Sequence, residues 1–330
     1  MEKQGPPYCV KIELTEGCNL RCKFCGLLSI RGKENDLKFS SLDTIELIGV
    51  QMAKLGWNSR IEFAMHGEPS LNPQLLRIIA ILRSSLPHTY MLMTSNGGGL
   101  LRDTQFRVGK LFKCGLDTLA LDDYSGVHIV EKIRERVKDM ELEDVELFEY
   151  PSCGSSGNPH KRMKTKRLVF IRDIVEAGEG THSFVHNSGC SSAPPNKTRI
   201  NKRCAKPFRE LAIRHDGSVA ICCVDWRGWY KVGNIHELGL EGVWNHERFG
   251  AARRKLYRGQ RDFGPCNGCD APSYRVGLLP DGQGKKKLAP PTVQDAKIIA
   301  EALSGGVYTK PLFRDWEDET LRKKIGDKCI

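Results

Sequence analysis

The sequence predicts an α/β protein, with a parallel sheet covered by helices in its first half and a smaller cysteine-bearing domain after it. Three observations carry this. Short β-rich runs alternate with amphipathic stretches over residues 9–150, the alternation stops after Tyr150, and a hairpin pattern with its own cysteines begins at Phe208. Alternation of this kind buries a parallel sheet beneath helices. Chemistry in such folds gathers in the loops at the C-terminal ends of the strands.

Taken in order, the strand candidates are Cys9–Thr15, Arg60–Met65, Tyr90–Thr94, Thr118–Leu121 and Val145–Tyr150. Between them lie the amphipathic stretches Leu42–Leu55, Pro73–Leu86, Thr104–Cys114 and Val127–Met140, with Pro73 expected at the first helical position behind an Asn72 cap. Pro151–His160 is rich in Gly, Ser and Pro, and Arg167–Val175 reads as a sixth strand. His186–Lys202 reads as a loop or linker. Leu211–Ile213 and Val219–Cys222 then flank His215-Asp216-Gly217-Ser218, an Asp-Gly hairpin signal. Beyond Asp281 the chain is Gly/Lys-rich, then helical around Val293–Leu303 and Glu317–Ile325. The expected domains are 1–185, 186–280 and a helical tail over 281–330.

Composition narrows the class. The 330 residues are 40% hydrophobic and 28% charged, as in soluble globular proteins. No apolar run approaches the ~18–20 residues that cross a bilayer. Met1–Pro7 lacks a signal-peptide h-region, and Cys329 is too close to the end for a prenylation box. A cytoplasmic protein that meets no membrane is expected.

Charge is unevenly spread. The net charge is +11, yet residues 1–150 carry 19 basic and 21 acidic side chains. Residues 161–214 carry 13 basic and 4 acidic, a net of +9. The cluster includes Lys161, Arg162, Lys164, Lys166 and Arg167, then Lys197, Arg199, Lys202 and Arg203. This is the footprint expected where a protein meets a polyanion, and a solvated basic face is the alternative.

Thirteen cysteines, mostly in tight clusters and without a secretion signal, read as metal ligands or redox groups rather than a disulfide framework. Cys18, Cys22 and Cys25 form a C-x3-C-x2-C loop directly after the first strand. Three thiolates in one loop suit three corners of a cubane [4Fe-4S] cluster whose fourth iron stays open for an exogenous ligand. Zinc competes, but structural zinc wants a fourth ligand and none is close in sequence.

This segment, with aromatic Phe24 before the third cysteine, resembles the cluster loop of the radical S-adenosylmethionine (SAM) enzymes. His66-Gly67-Glu68-Pro69 ends the second strand and resembles that family's Gly-Gly-Glu-Pro motif, which binds the SAM amino group, with His66 in place of the first glycine. Thr94-Ser95-Asn96-Gly97 ends the third strand and Leu121-Asp122-Asp123 the fourth, where the family approaches SAM again. Each alone is also ordinary turn chemistry. The resemblance covers about residues 8–176. It implies a partial (βα)6-type barrel, a cluster that donates an electron to bound SAM, and a 5′-deoxyadenosyl radical that abstracts hydrogen. It also implies an external electron donor such as flavodoxin or ferredoxin.

Cys204, Gly217, Cys222 and Cys266-Asn267-Gly268-Cys269 resemble the SPASM and twitch extensions of the same enzymes, which hold auxiliary iron–sulfur clusters. One auxiliary cluster, of the [4Fe-4S] type, is expected on Cys204, Cys222, Cys266 and Cys269, with Cys223 as an alternative to Cys222. A structural zinc site is the competing reading. Cys9 and Cys114 read as core residues, and Cys153 and Cys190 as hydrogen donors to a substrate radical or as idle thiols.

For the substrate, the basic stretch favours nucleic acid. The architecture resembles radical SAM proteins of tailed bacteriophages that hypermodify thymine in DNA, the glycinyl-thymidine isomerase type. That implies an isomerase- or mutase-type rearrangement of an amino-acid-modified thymine. Peptide or protein modification, a small-molecule reaction, and a non-catalytic iron–sulfur protein that binds nucleic acid are the other readings.

Overall fold

The computed structural model describes residues 4–22, 25–29, 37–63, 65–101, 104–123, 128–138, 140, 142–150, 165–171, 203–269 and 292–304. The chain divides into two compact units, Ile12–Leu20 with Asn35–Phe184, and Met1–Lys11 with Arg21–Glu34 and Val185–Ile330. Strand β1 (Cys9–Ile12) carries the chain from one to the other.

In the first unit, β2 (Thr15–Glu16) pairs antiparallel with β3 (Lys38–Phe39). There follow α1 (Leu42–Lys54), β4 (Arg60–Glu62), α2 (Leu75–Ser85), β5 (Met91–Ser95), α3 (Thr104–Lys113), β6 (Thr118–Asp122), α4 (Ile129–Val137), β7 (Val145–Tyr150) and β8 (Lys166–Ile171). Helix α1 starts at its Ser41 cap, whose side chain accepts from Thr44 N, and buries Ile45, Ile48 and Met52. Helix α2 buries Leu75, Ile78, Ile79 and Leu82. It begins two residues later than expected. Asn72 instead closes a 3-10 turn at Pro69–Leu71, and its Oδ1 accepts from Gln74 N at 2.8 Å.

The other five strands of this unit are parallel and run β4-β5-β6-β8-β7. Their order is not that of the chain, because β8 lies between β6 and β7. Composition explains this. Leu168-Val169-Phe170-Ile171 is buried throughout, as a central parallel strand requires. Val145-Glu146-Leu147-Phe148-Glu149-Tyr150 alternates with charge, as suits an edge.

One face of the sheet is layered. Tyr90, Leu92, Ala120, Val169 and Ile171 form an apolar cluster with Phe148 against it. At its N-terminal end, Arg167 Nη2 donates to Tyr90 Oη at 2.8 Å, and Tyr90 Oη lies 2.5 Å from Thr118 Oγ1. Period-2 alternation along β6 carries the same face from Thr118 through Ala120 to Asp122 at the C-terminal end.

Arg167 corrects the expected basic surface. It is 2% exposed, lies over the Phe148 ring and is held by Tyr90. A guanidinium buried in this way is kept by its partners and is not offered to a polyanion.

In the second unit, α5 (Lys206–Arg209) leads into β9 (Glu210–Ile213), β10 (Ser218–Ala220) and β11 (Lys231–Asn234). The helices α6 (Ile235–Trp244), α7 (Glu247–Tyr257) and α8 (Val293–Ser304) complete it. The Asp216-Gly217 hairpin forms, pairing Val219 with Ile213 and Ala220 with Ala212. The N-terminal residues join this unit because Gln4 N donates to Asn245 Oδ1 at 2.8 Å and Trp244 Nε1 to Gly5 O at 2.7 Å. Among the described residues, no helix is long and apolar enough to cross a membrane.

Candidate active site and auxiliary cysteine centre

In the first unit the candidate residues converge where strands end. Gly17 lies beside Gly67 in a parallel bridge, and Glu68 N donates to Gly17 O at 2.9 Å. A Cβ on Gly67 would sit 2.0 Å from Thr15 O, so only glycine lets the two loops approach.

Glu68 is buried and held from three sides. Its Oε1 accepts from Ser70 N at 2.8 Å and Ser95 Oγ at 2.5 Å, and its Oε2 from Asn96 N at 2.8 Å. Burial pushes its carboxyl up, against the pull of these donors. Asp122 is 8% exposed, and its Oδ1 has no hydrogen-bond partner among the described residues. Burial, and then the charge of Glu68, push its carboxyl up to about 8. An orphaned buried carboxyl oxygen beside a second carboxylate suits a polar or cationic ligand.

Cys18 Sγ belongs to this unit and accepts from Leu20 N and from Asn96 Nδ2, each at 3.3 Å. Cys22 and Cys25 belong to the second unit, where Cys25 N donates to Cys22 O at 3.0 Å. All three are partly exposed. Phe24 lies outside the described residues, as do Cys153, Cys190, Lys161, Arg162, Lys164, Lys197, Arg199 and Lys202. Lys166 is half-buried, while Arg203 is exposed with its guanidinium 4.6 Å from the Tyr257 ring centroid.

Two participants carried no signal beyond their residue type. His66 departs from the family's glycine and is fully buried with Nδ1 2.9 Å from Glu13 Oε1, itself buried. Asn19 accepts from Asn96 Nδ2 through its Oδ1 at 3.1 Å, and its only mark in the sequence is its place inside the C-x3-C loop.

In the second unit, Cys204, Cys222 and Cys266 are buried and Cys269 is partly exposed. Burial pushes the Cys266 thiol well up, and the charges of Cys269 and Cys204 add to it. The Cys222 thiol is pushed well up by burial and then by Cys223, Glu210 and Cys266. Mutually repelling buried sulfurs are the donor set an iron–sulfur cluster takes as thiolates. Cys223 is engaged by Lys206 and Glu210. Its sulfur lies 3.4 Å from Lys206 Nζ, and its N–H donates to Glu210 Oε1 at 3.3 Å. Burial opposes the Lys206 charge, but Cys223, Glu210, Cys222 and Cys204 outweigh it and hold the ammonium well above its ordinary range.

Residues 12–144 match the radical SAM superfamily, and residues 204–270 match an iron–sulfur cluster-binding domain, SPASM. The chain is thus a radical SAM enzyme that carries an SPASM domain, and these domains imply a [4Fe-4S] cluster, SAM and an auxiliary iron–sulfur cluster. It is 21% identical over 271 residues to the S-adenosyl-L-methionine-dependent 2-deoxy-scyllo-inosamine dehydrogenase of Niallia circulans, covering 81% of this chain and 94% of that protein. It is 34% identical over 125 residues to GTP 3',8-cyclase 2 of Mycobacterium tuberculosis (strain ATCC 25618 / H37Rv), spanning about a third of each. Its fold is similar to the crystal structure of BtrN in complex with AdoMet and 2-DOIA, with a TM-score of 0.61 and 18% identity over 82% of this chain and 98% of that one.

Proposed function

We propose that this enzyme abstracts hydrogen from a modified base in DNA and rearranges an amino-acid-modified thymine. The observation that carries this reading is the net +9 in the sequence of residues 161–214, of which the buried Arg167 contributes one, in a chain whose total is +11. Lys and Arg side chains of such a stretch bind phosphates. A base that is to react must also leave its stack.

Cys18, Cys22 and Cys25 hold the first cluster, and Phe24, Gly67, Glu68, Pro69, Ser95, Asn96 and Asp122 bind SAM. Cys204, Cys222, Cys266 and Cys269 hold the auxiliary cluster. When bound, the reduced cluster and SAM supply one-electron cleavage of a carbon–sulfur bond and a radical that takes hydrogen from carbon. The chain's own part is placement. Glu68 braces the turn at Pro69–Leu71 against the end of β5, and its contacts with Ser95 and Asn96 keep that edge in one geometry. Asp122 offers its unpartnered oxygen to a ligand group.

The radical SAM core is taken as 1–185, the SPASM-like domain as 186–280 and the tail as 281–330. Cys153 and Cys190 are candidates for hydrogen donor to the product radical, with idle thiols as the alternative, and flavodoxin or ferredoxin delivers the electron. Reduced thiolates suit the cytoplasm.

The test is anaerobic binding of reconstituted enzyme to labelled duplex and single-stranded DNA at two salt concentrations, alongside an assay for 5′-deoxyadenosine. Binding should weaken steeply with salt. Neutralising Lys161, Arg162, Lys164 and Lys166 together should abolish binding and leave uncoupled SAM cleavage intact. No binding at low salt overturns the DNA reading, and absent 5′-deoxyadenosine under strong reductant favours a non-catalytic iron–sulfur protein.

A second reading, SAM-dependent oxidation of a small cyclic alcohol, is favoured by the alignment along nearly the whole length of the Niallia circulans dehydrogenase. Conversion of 2-deoxy-scyllo-inosamine to a ketone would select it over DNA.

A further inference from the structure

Asn96 has its backbone N–H and both polar atoms of its carboxamide engaged, and the pattern joins the candidate SAM residues to the candidate cluster loop. Its backbone N–H donates to Glu68 Oε2 at 2.8 Å. Its Oδ1 accepts from Gly98 N at 2.7 Å, which fixes the orientation of the carboxamide. The amide nitrogen therefore points the other way, one hydrogen to Cys18 Sγ at 3.3 Å and one to Asn19 Oδ1 at 3.1 Å. The arrangement is tight. A Cβ on Gly98 would sit 2.1 Å from Asn19 Nδ2, so Asn19 and Asn96 are locked against a backbone without side chain. Leu20 N brings a second N–H to the same sulfur at 3.3 Å.

An N–H aimed at a ligating sulfur favours the more negative, reduced state of an iron–sulfur cluster, because the donor stabilises the extra charge. We propose that Asn96 is a positioning residue that raises the reduction potential of the SAM-cleaving cluster by donating to the Cys18 sulfur, and that its backbone bond to Glu68 ties this setting to the SAM site. The inference rests on the reading of Cys18 as a cluster ligand. It adds a redox role that SAM contact by Asn96 does not require.

The test uses the reconstituted full chain and two variants. Asn96→Ala removes the carboxamide but keeps the backbone bond to Glu68. Asn96→Asp keeps the shape and the acceptor for Gly98 but has no N–H to give. Redox titration followed by electron paramagnetic resonance, with iron content measured in parallel, reads the potential directly. At a fixed potential, the reduced-to-oxidised ratio of the first cluster should fall roughly threefold to tenfold in Asn96→Ala, and further in Asn96→Asp. Iron content should stay at the parent level in at least one of them. An unchanged potential with full iron in both variants overturns the inference, and so does loss of the cluster in both, which would make Asn96 purely structural. Failure of the underlying reading looks different, since Cys18→Ala would then keep the parent's signal.

Discussion

Asp122 ends β6 with a carboxyl oxygen that none of the described residues satisfies, beside the buried Glu68. An aspartate in an unfolded chain gives up its proton near pH 3.9. Here burial and the Glu68 charge hold the proton up to about pH 8. Between those values the folded state binds the extra proton, so this residue's contribution makes stability fall as pH rises. Asp122→Asn carries no charge and should be more stable than the parent at pH 8, by about 5 kcal/mol, with the advantage vanishing near pH 4. Urea midpoints of the metal-free proteins at the two pH values check this, and equal midpoints at pH 8 would refute it. The place of Asp122 at a strand end was legible from the hydrophobic run before it. Its burial was not, because that depends on the neighbouring strand. Arg167 makes the same point in reverse. It reads as part of a basic run, yet strand alternation turns it inward toward Tyr90.

Helix α8 shows what an element needs beyond its periodicity. The apolar spacing over Val293–Leu303 was readable, and the helix forms over Val293–Ser304. Its anchor was less so. Thr292 N donates to Asp295 Oδ2 at 2.7 Å and Asp295 N to Thr292 Oγ1 at 3.2 Å, a reciprocal capping box. Arg254 of α7 also donates from Nε to both Asp295 oxygens, at 3.0 and 2.9 Å. Asp295 is 1% exposed, so Asp295→Ala removes a cap and a buried ion-pair partner together. A loss of about 2 kcal/mol is expected, read as a lower thermal midpoint, and Thr292→Ala should cost less. An unchanged midpoint would mean that α8 contributes nothing to the stability of its unit. The order of β7 and β8 belongs to this scale too. Both strands were legible, but their exchange of places follows from which one tolerates burial on both faces.

At the scale of the molecule, the second unit is expected to depend on its metal. Cys204 and Cys222 frame the β9–β10 hairpin, while Cys266 and Cys269 follow α7, so a cluster on all four would pin two distant segments. Removing iron under reducing conditions should lower the unfolding midpoint by on the order of 10 °C. Cys266→Ala should do the same without chelator, and the two effects should not add. Full additivity would show that Cys266 acts apart from the iron. The sequence by itself determined what is local: the periodicities that make strands and helices, the spacing of cysteines within each loop, and the Asp-Gly turn, all set by residues within a few positions of one another. Only the tertiary structure decided which basic side chain faces inward, that the Cys223 sulfur lies against Lys206, and that Asn96 spans from Glu68 to Cys18. Those outcomes depend on burial and on contacts between residues far apart in the chain, which no local pattern encodes.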